Sequence, residues 1–201
     1  MVYQGQFGTF EITERDRAEV ITYRSGLLVA ALSFTVGTLL FFWQGATPLV
    51  LQSLTVLYGL FSLGLGISLW TIHIYLIPLH RLLQIFWLIG TMSAIILGMQ
   101  ADVPLTLYIY NNPLTIFGIG FTFAALTGIY FKEGFCFHRL ETQILTPVVP
   151  VLLLGHLTGV MQPQIEQVLL AVWTVCFIVF ALRKFPQDIP SDIGDKSVFD
   201  Y

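Results

Sequence analysis

Charge is what this chain has least of. Nine Lys and Arg and 12 Asp and Glu make up 10% of its 201 residues, while hydrophobic residues make up 56%. Soluble domains carry about 25% charged residues, so the balance points to a bilayer-embedded chain. With a formal net charge of −3 there is no basic surface for nucleic acid. Cysteine is nearly absent. Cys136 stands in a charged loop and Cys176 inside an apolar run, which reads as two free thiols rather than a disulfide framework. No carboxylate falls in the middle of an apolar segment, Asp102 and Glu166 standing at the interface, so the usual acidic residue of a proton-coupled pump is missing. Also missing are HExxH, GxSxG, a P-loop, a His-rich di-metal set and an inverted repeat with interrupted helices. These absences leave an enzyme without motif support. Residues 1–24 contain Glu11, Glu14, Asp16 and Glu19 and no apolar core, so a signal peptide is not expected.

What is present is hydrophobic length. Six apolar segments stand out: Ser25–Trp43, Pro48–Ile72, Leu82–Met99, Pro113–Phe131, Thr146–Met161 and Ile165–Leu182. A helix of about 20 residues crosses a hydrocarbon core of about 30 Å. The chain therefore reads as an all-α membrane protein, a six-transmembrane-helix bundle with a short N-terminal interfacial helix and an extended C-terminal tail. Residues 1–24 form the N-terminal segment, 25–182 the membrane domain and 183–201 the tail. Thr47-Pro48, Asn112-Pro113 and Thr146-Pro147 each set a capping side chain before a proline at the first helical position. The fifth span stays open: either Thr146 caps a short helix, or a longer helix starts near Thr142 and contains Pro147 and Pro150.

With six spans, all nine basic residues fall at one end: Arg15, Arg17, Arg24, Arg81, Lys132, Arg139, Arg183, Lys184 and Lys196. The other end has Asp102 and Glu166 only. The positive-inside rule then places both termini in the cytoplasm, or the stroma of a plastid. "FEITERDRAEVITYRSG" has a capping-box-like start at Thr13 and Asp16 and reads as an amphipathic helix lying along the interface before turning inward at Gly26. "ADVPLTLYIYNNP" puts Tyr108 and Tyr110 at headgroup level on the opposite side. "KEGFCFHRLE" reads as an interfacial helix presenting Phe131, Phe135 and Phe137 to lipid.

Small residues mark the candidate packing faces. Gly120, Ala124 and Gly128 share one face of the fourth span, Gly155 and Gly159 flank the middle of "LLLGHLTGV", and Ser62 and Gly66 lie in the second. Such faces let helices approach closely where lipid burial supplies no driving force; they would also admit a planar ring such as a chlorin or a carotenoid end group. His156 is the one imidazole within a span, about five residues or ~7 Å from its far end. Three roles are open to it: a hydrogen bond between helices, ligation of a tetrapyrrole or metal, or proton transfer. His73 and His80 are seven residues apart around Pro78, not at the i, i+4 spacing of helical ligands, and His138 beside Cys136 is a weak metal signal. No metal site is assigned.

The stretches "VYQGQFGTFEIT" and "RDR" leading to "YRSGLLVAALSF", with the closing "FPQDIPSDIGDKSVFDY", resemble an uncharacterised integral-membrane family of cyanobacteria and plastids. The resemblance implies a thylakoid location and supplies no catalytic or ligand residue. It leads to an expected role as a non-enzymatic accessory or assembly protein of photosynthetic membrane complexes, acting through helix packing and tail docking. Expected partners are membrane lipid and other integral membrane subunits, photosystem components among them. Phe185, Phe199 and Tyr201 would be the docking aromatics, and chlorophyll or carotenoid the candidate pigment, with His156 as tetrapyrrole ligand. The rival reading is a small-molecule carrier or channel, with Gln143, Thr146, His156, Asn111 and Asn112 lining a polar path. A third, a membrane enzyme acting on lipids or quinones, requires His73, His80 and His138 to converge.

Overall fold

The computed structural model describes residues 2–5, 8–74 and 76–189, with side chains from residue 11 onward. A two-stranded antiparallel hairpin, β1 (Val2–Gly5) and β2 (Gly8–Glu11), comes first and adds strands that the hydropathy pattern does not announce. Six helices long and apolar enough to cross a bilayer follow. They are α1 (Glu14–Gln44), α2 (Pro48–Thr71), α3 (Ile77–Gln100), α5 (Ile116–Phe137), α6 (Leu140–Thr158) and α7 (Pro163–Arg183). A short helix, α4 (Leu105–Asn111), lies between α3 and α5.

The interfacial helix expected before Gly26 is not a separate element. Thr13 and Asp16 do form a capping box, with Asp16 N–H donating to Thr13 Oγ1 at 3.2 Å and Thr13 N–H donating to Asp16 Oδ2 at 2.9 Å. From there α1 runs unbroken for 31 residues, to Gly45 at φ 67°. At 1.5 Å per residue it spans about 46 Å, so its first turns extend beyond a core of about 30 Å. Gly26 does not turn the chain. It lets α2 cross: a Cβ there would lie 2.7 Å from Gly64 O, and Ser68 Oγ donates to Tyr23 O nearby at 2.9 Å.

Of the three capping expectations, Thr47 alone caps, accepting from Val50 N–H at 3.4 Å with Pro48 in the first turn. Asn112 instead donates Nδ2 to Tyr108 O at 2.9 Å, and the chain enters α5 through a 3-10 turn at Pro113–Thr115. Thr146 lies inside α6, where its hydroxyl donates to Thr142 O at 2.7 Å. The longer version of the fifth span is the one that forms, with both prolines internal. Having no N–H, Pro147 and Pro150 leave the carbonyls of Gln143 and Thr146 without their usual intrahelical donors.

Each span packs on the next, α1 on α2, α2 on α3, α3 on α5, α5 on α6 and α6 on α7, and α7 returns to α1. The six therefore close a ring, and the two outer ends of α1 and α7 meet: Arg24 donates to the backbone carbonyls of Phe185 and Asp188. Large apolar side chains such as Leu39, Trp43, Leu63, Trp70 and Phe117 face outward, as lipid contact requires and water would not tolerate. Inside the ring, aromatic rings fill the basic-residue half and the middle. Phe34 lies 4.5 Å from Trp173, Phe123 5.4 Å from Trp173, Phe61 5.7 Å from Phe123 and Tyr130 5.5 Å from Phe177. Hydroxyl pairs stitch neighbouring helices, Ser62 with Thr91 at 2.8 Å, Tyr58 with Thr122 at 3.1 Å and Thr174 with Thr38 at 3.1 Å.

Candidate functional site

Beyond that aromatic layer, the half of the ring away from the basic residues is not filled. A cavity of about 580 Å³ opens there among α1, α2, α4, α5, α6 and α7. Phe34, Phe41, Leu54, Leu57, Phe123 and Leu153 give it an apolar wall with the hydroxyls of Ser33, Thr38, Tyr58 and Thr106 among them, and Tyr110, His156 and Glu166 converge at one place on its lining.

His156 stands in the last turn of α6, which Gly159 closes in the left-handed conformation at φ 65°. Glu166 stands in the first turn of α7, behind Pro163. The short connection between the helices brings the two side chains together, His156 Nδ1 to Glu166 Oε1, at 2.8 Å. Each helix end suits its residue, since a C-terminus favours a cation and an N-terminus an anion. The other ring nitrogen, Nε2, faces the carbonyl of Tyr110 at 3.1 Å. A carbonyl only accepts, so the Nε2 contact requires a hydrogen on Nε2. The Tyr110 ring lies against the imidazole, centroids 4.8 Å apart. Both nitrogens are thus engaged, and ligating a metal or tetrapyrrole would require the ring to give up one of these bonds. Thr158, a candidate partner by proximity, donates instead to Leu154 O and Gly155 O. The signal for Glu166 was available: a Gly and a Pro bracketing a tight helix-to-helix turn place the last-turn His opposite the first-turn Glu.

A second polar cluster lies at the basic end. There α5 runs past Phe131 to Phe137, which carries Glu133 into the bundle at 1% exposure. The expected fourth span ends at Phe131; its extension to Phe137 adds a buried acid near the basic end of the helix. Glu133 Oε1 accepts from Tyr23 Oη at 3.0 Å and Lys132 Nζ at 3.2 Å, and Oε2 accepts from Lys184 Nζ. Lys184 also donates to Gln187 Oε1 at 3.1 Å and sits 4.4 Å from the Phe137 ring centroid. Phe137 thus turns to the cations, whereas Phe131 and Phe135 face outward. Beside it, Arg183 donates to Glu141 Oε2 at 2.9 Å, and Arg139 to Gln187 at 3.2 Å.

Among the other expected residues, Gly120 borders the cavity, and a Cβ added there would meet only Ile116 of its own helix, at 3.1 Å. Gly128, two turns on, receives Leu83 of α3, and Ala124 lies half-buried between them. Gly66 accommodates the Trp87 ring, whose Nε1 donates to the Ser62 carbonyl at 2.8 Å, and Gly155 receives Met161. Of the expected polar path, Asn111 and His156 line the cavity; Gln143 is exposed on α6 and Asn112 is bonded to Tyr108. His80 is turned to Leu69 O at 2.6 Å and to Gln84 at 3.2 Å, while His138 occupies the left-handed position that closes α5. Cys136 and Cys176 are free. Phe185 is exposed, and Phe199 and Tyr201 lie outside the described residues.

Residues 67–201 match the sequence profile of DUF2301, described as an uncharacterized integral membrane protein family. The chain belongs to the DUF2301 family. No curated protein and no solved structure matches it. The DUF2301 match takes in His156, Glu166, Glu133 and Lys184, whereas Tyr23 and Arg24 come from the part of the chain before it.

Lys184 lies just beyond α7, where burial pushes its ammonium down to about 8 and the Glu133 carboxylate limits the fall. An unfolded lysine holds its proton to about 10.4. Between those values the unfolded chain binds more protons than the native one, so this residue's contribution to stability rises with pH across that window. The expected result is that the unfolding midpoint of the wild type gains on that of Lys184→Met as pH rises from 8 to 10. A gap that stays flat or narrows would contradict the assignment.

Proposed function

We propose that this DUF2301 protein binds a membrane-soluble amphiphile and serves as its carrier. The observation that carries the reading is the cavity of about 580 Å³ inside the helix ring, mostly apolar in its lining, with Tyr110, His156 and Glu166 converging on it. Pockets that enclose small ligands run about 300–1,000 Å³ and combine apolar lining with a few converging polar groups. An apolar body would lie among Phe41, Leu54, Leu57 and Leu153, with its polar head at Tyr110, His156 and Glu166. The basic residues sorted to the opposite end support an orientation with that end in the cytoplasm or stroma.

Gly120→Leu is the discriminating variant, because Gly120 lines the cavity and a Cβ added there would meet no other helix within 4 Å. The protein is purified in mild detergent and the co-purifying small molecules are extracted and identified by mass spectrometry. The wild type is expected to retain one class of amphiphile, and Gly120→Leu and His156→Ala about tenfold less, the effect of losing ~1.4 kcal/mol of binding. Helix content should stay unchanged in both. A wild type that retains only bulk lipid, or a Gly120→Leu protein that retains as much as the wild type, would sink the carrier reading.

An accessory role in a thylakoid complex is the competing proposal. The sequence resemblance supports it, as does Phe185, exposed at the basic end. The same purification discriminates: stoichiometric photosystem subunits with chlorophyll would favour the accessory role, and an amphiphile without them the carrier.

A further inference from the structure

A second cavity, of about 330 Å³, lies at the basic end between α1, α2, α5 and the residues following α7. Its charged lining is unbalanced. Among the described residues, Arg24, Lys132 and Lys184 share the lining with one carboxylate, Glu133, and Asp188 acts on Arg24 from beyond hydrogen-bond range, so positive charge exceeds negative by one. Two of these cations are buried, Arg24 at 9% exposure and Lys184 at 3%, and Lys132 is half-buried at the edge. Glu133 is already saturated by Tyr23, Lys132 and Lys184. Arg24 has no carboxylate within 4.0 Å among the described residues, and its guanidinium reaches only the neutral carbonyls of Phe185, at 3.4 Å, and Asp188, at 3.2 Å. The Phe137 ring offsets part of the charge on Lys184 but lies about 6 Å from Lys132.

Holding cations out of water without counter-charge is costly, by several kcal/mol per ion. An anion in the cavity restores the balance. A guanidinium with an ammonium on either side of a pocket suits tetrahedral oxygens, since Arg presents a planar fork and Lys a point charge. The position agrees with the chemistry, because basic pockets between transmembrane helices near the headgroup level accept phosphate-bearing headgroups. We propose that the basic-end cavity is a phosphate-binding site, with Arg24, Lys132 and Lys184 as its cationic wall and the phosphate of an anionic phospholipid, or free phosphate, as its ligand. It lies on the far side of the aromatic layer from the His156 cavity and does not depend on the carrier reading.

The test uses the full chain in a nonionic detergent. In one arm, the thermal unfolding midpoint is followed with inorganic phosphate against chloride at equal ionic strength. In the other, native mass spectrometry counts molecules retained after adding phosphatidylglycerol or phosphatidylcholine of the same acyl chains. Stabilisation by inorganic phosphate assigns the free anion; selective retention of phosphatidylglycerol without a response to phosphate assigns the headgroup. Lys132→Gln leaves Glu133 with Tyr23 and Lys184, and Arg24→Gln removes no carboxylate partner. Each variant is expected to weaken the responding probe about tenfold, the loss of one charged hydrogen bond. The proposal is overturned if neither phosphate nor phosphatidylglycerol differs from its control, a result the wild type alone can deliver. It is overturned equally if both variants, still folded by circular dichroism, respond like the wild type.

Discussion

Lys184→Met is expected to cost about 3–5 kcal/mol of unfolding free energy, the usual price of stripping one partner from a buried ion pair. Glu133 is 1% exposed and Lys184 3%, so water cannot take the place of the missing ammonium. Tyr23 and Lys132 would remain on Oε1, but Oε2 would lose its bond from Lys184, its one donor among the described residues. The double variant Glu133→Met/Lys184→Met should recover much of the loss, because it removes the orphaned charge together with its partner. Unfolding by sodium dodecyl sulfate in mixed micelles, followed by tryptophan fluorescence, would measure both. If Lys184→Met falls within about 1 kcal/mol of the wild type, or the double variant is no more stable than the single, the pair does not hold the basic end together.

The second large effect belongs to the crossing of α1 and α2. A Cβ on Gly64 would lie 2.6 Å from Gly26 O and 2.9 Å from Ala30 N. Both obstacles are backbone atoms, which cannot rotate aside. Gly64→Leu is therefore expected to destabilise the protein by about 3 kcal/mol or more, beyond the usual 1–3 for overpacking against side chains, and Gly64→Ala by a smaller amount. Gly59 is the control, on the same helix with nothing within 4 Å of an added Cβ. Gly59→Ala should be neutral or stabilising, since alanine gives up less backbone freedom in a helix, by about 0.5–1 kcal/mol. The yield of monodisperse protein on size exclusion and the same detergent titration report the difference. Equal behaviour of Gly64→Leu and Gly59→Leu would show that the α1–α2 approach is not tight.

These glycines illustrate how far a linear reading of packing reaches. Small residues do mark close helix contacts, but α2 carries two such faces. Ser62 and Gly66 serve α3 through Thr91 and Trp87, while Gly64 and Ser68 serve α1 through Gly26 and Tyr23. Spacing alone shows that residues four apart share a face; it cannot say which neighbour the face meets. Gly26 shows the same limit, since a glycine near the start of an apolar run reads as a bend until the helix it touches is known.

The number of spans and their approximate bounds were determined by sequence, as was the sorting of basic residues to one end. The reason is that lipid forces each crossing segment to satisfy its own backbone hydrogen bonds, so a span is decided within about 20 consecutive residues. The Thr13 capping box was legible for the same reason, being complete within four residues. Three matters waited for the tertiary structure. Tyr23 meets Glu133 across 110 positions of sequence only because α7 closes the ring against α1. His156 gains Glu166 and the Tyr110 carbonyl because two helix ends and α4 converge. The cavity beside them is a volume that packing leaves between helices, and a gap of that kind has no residue of its own to announce it.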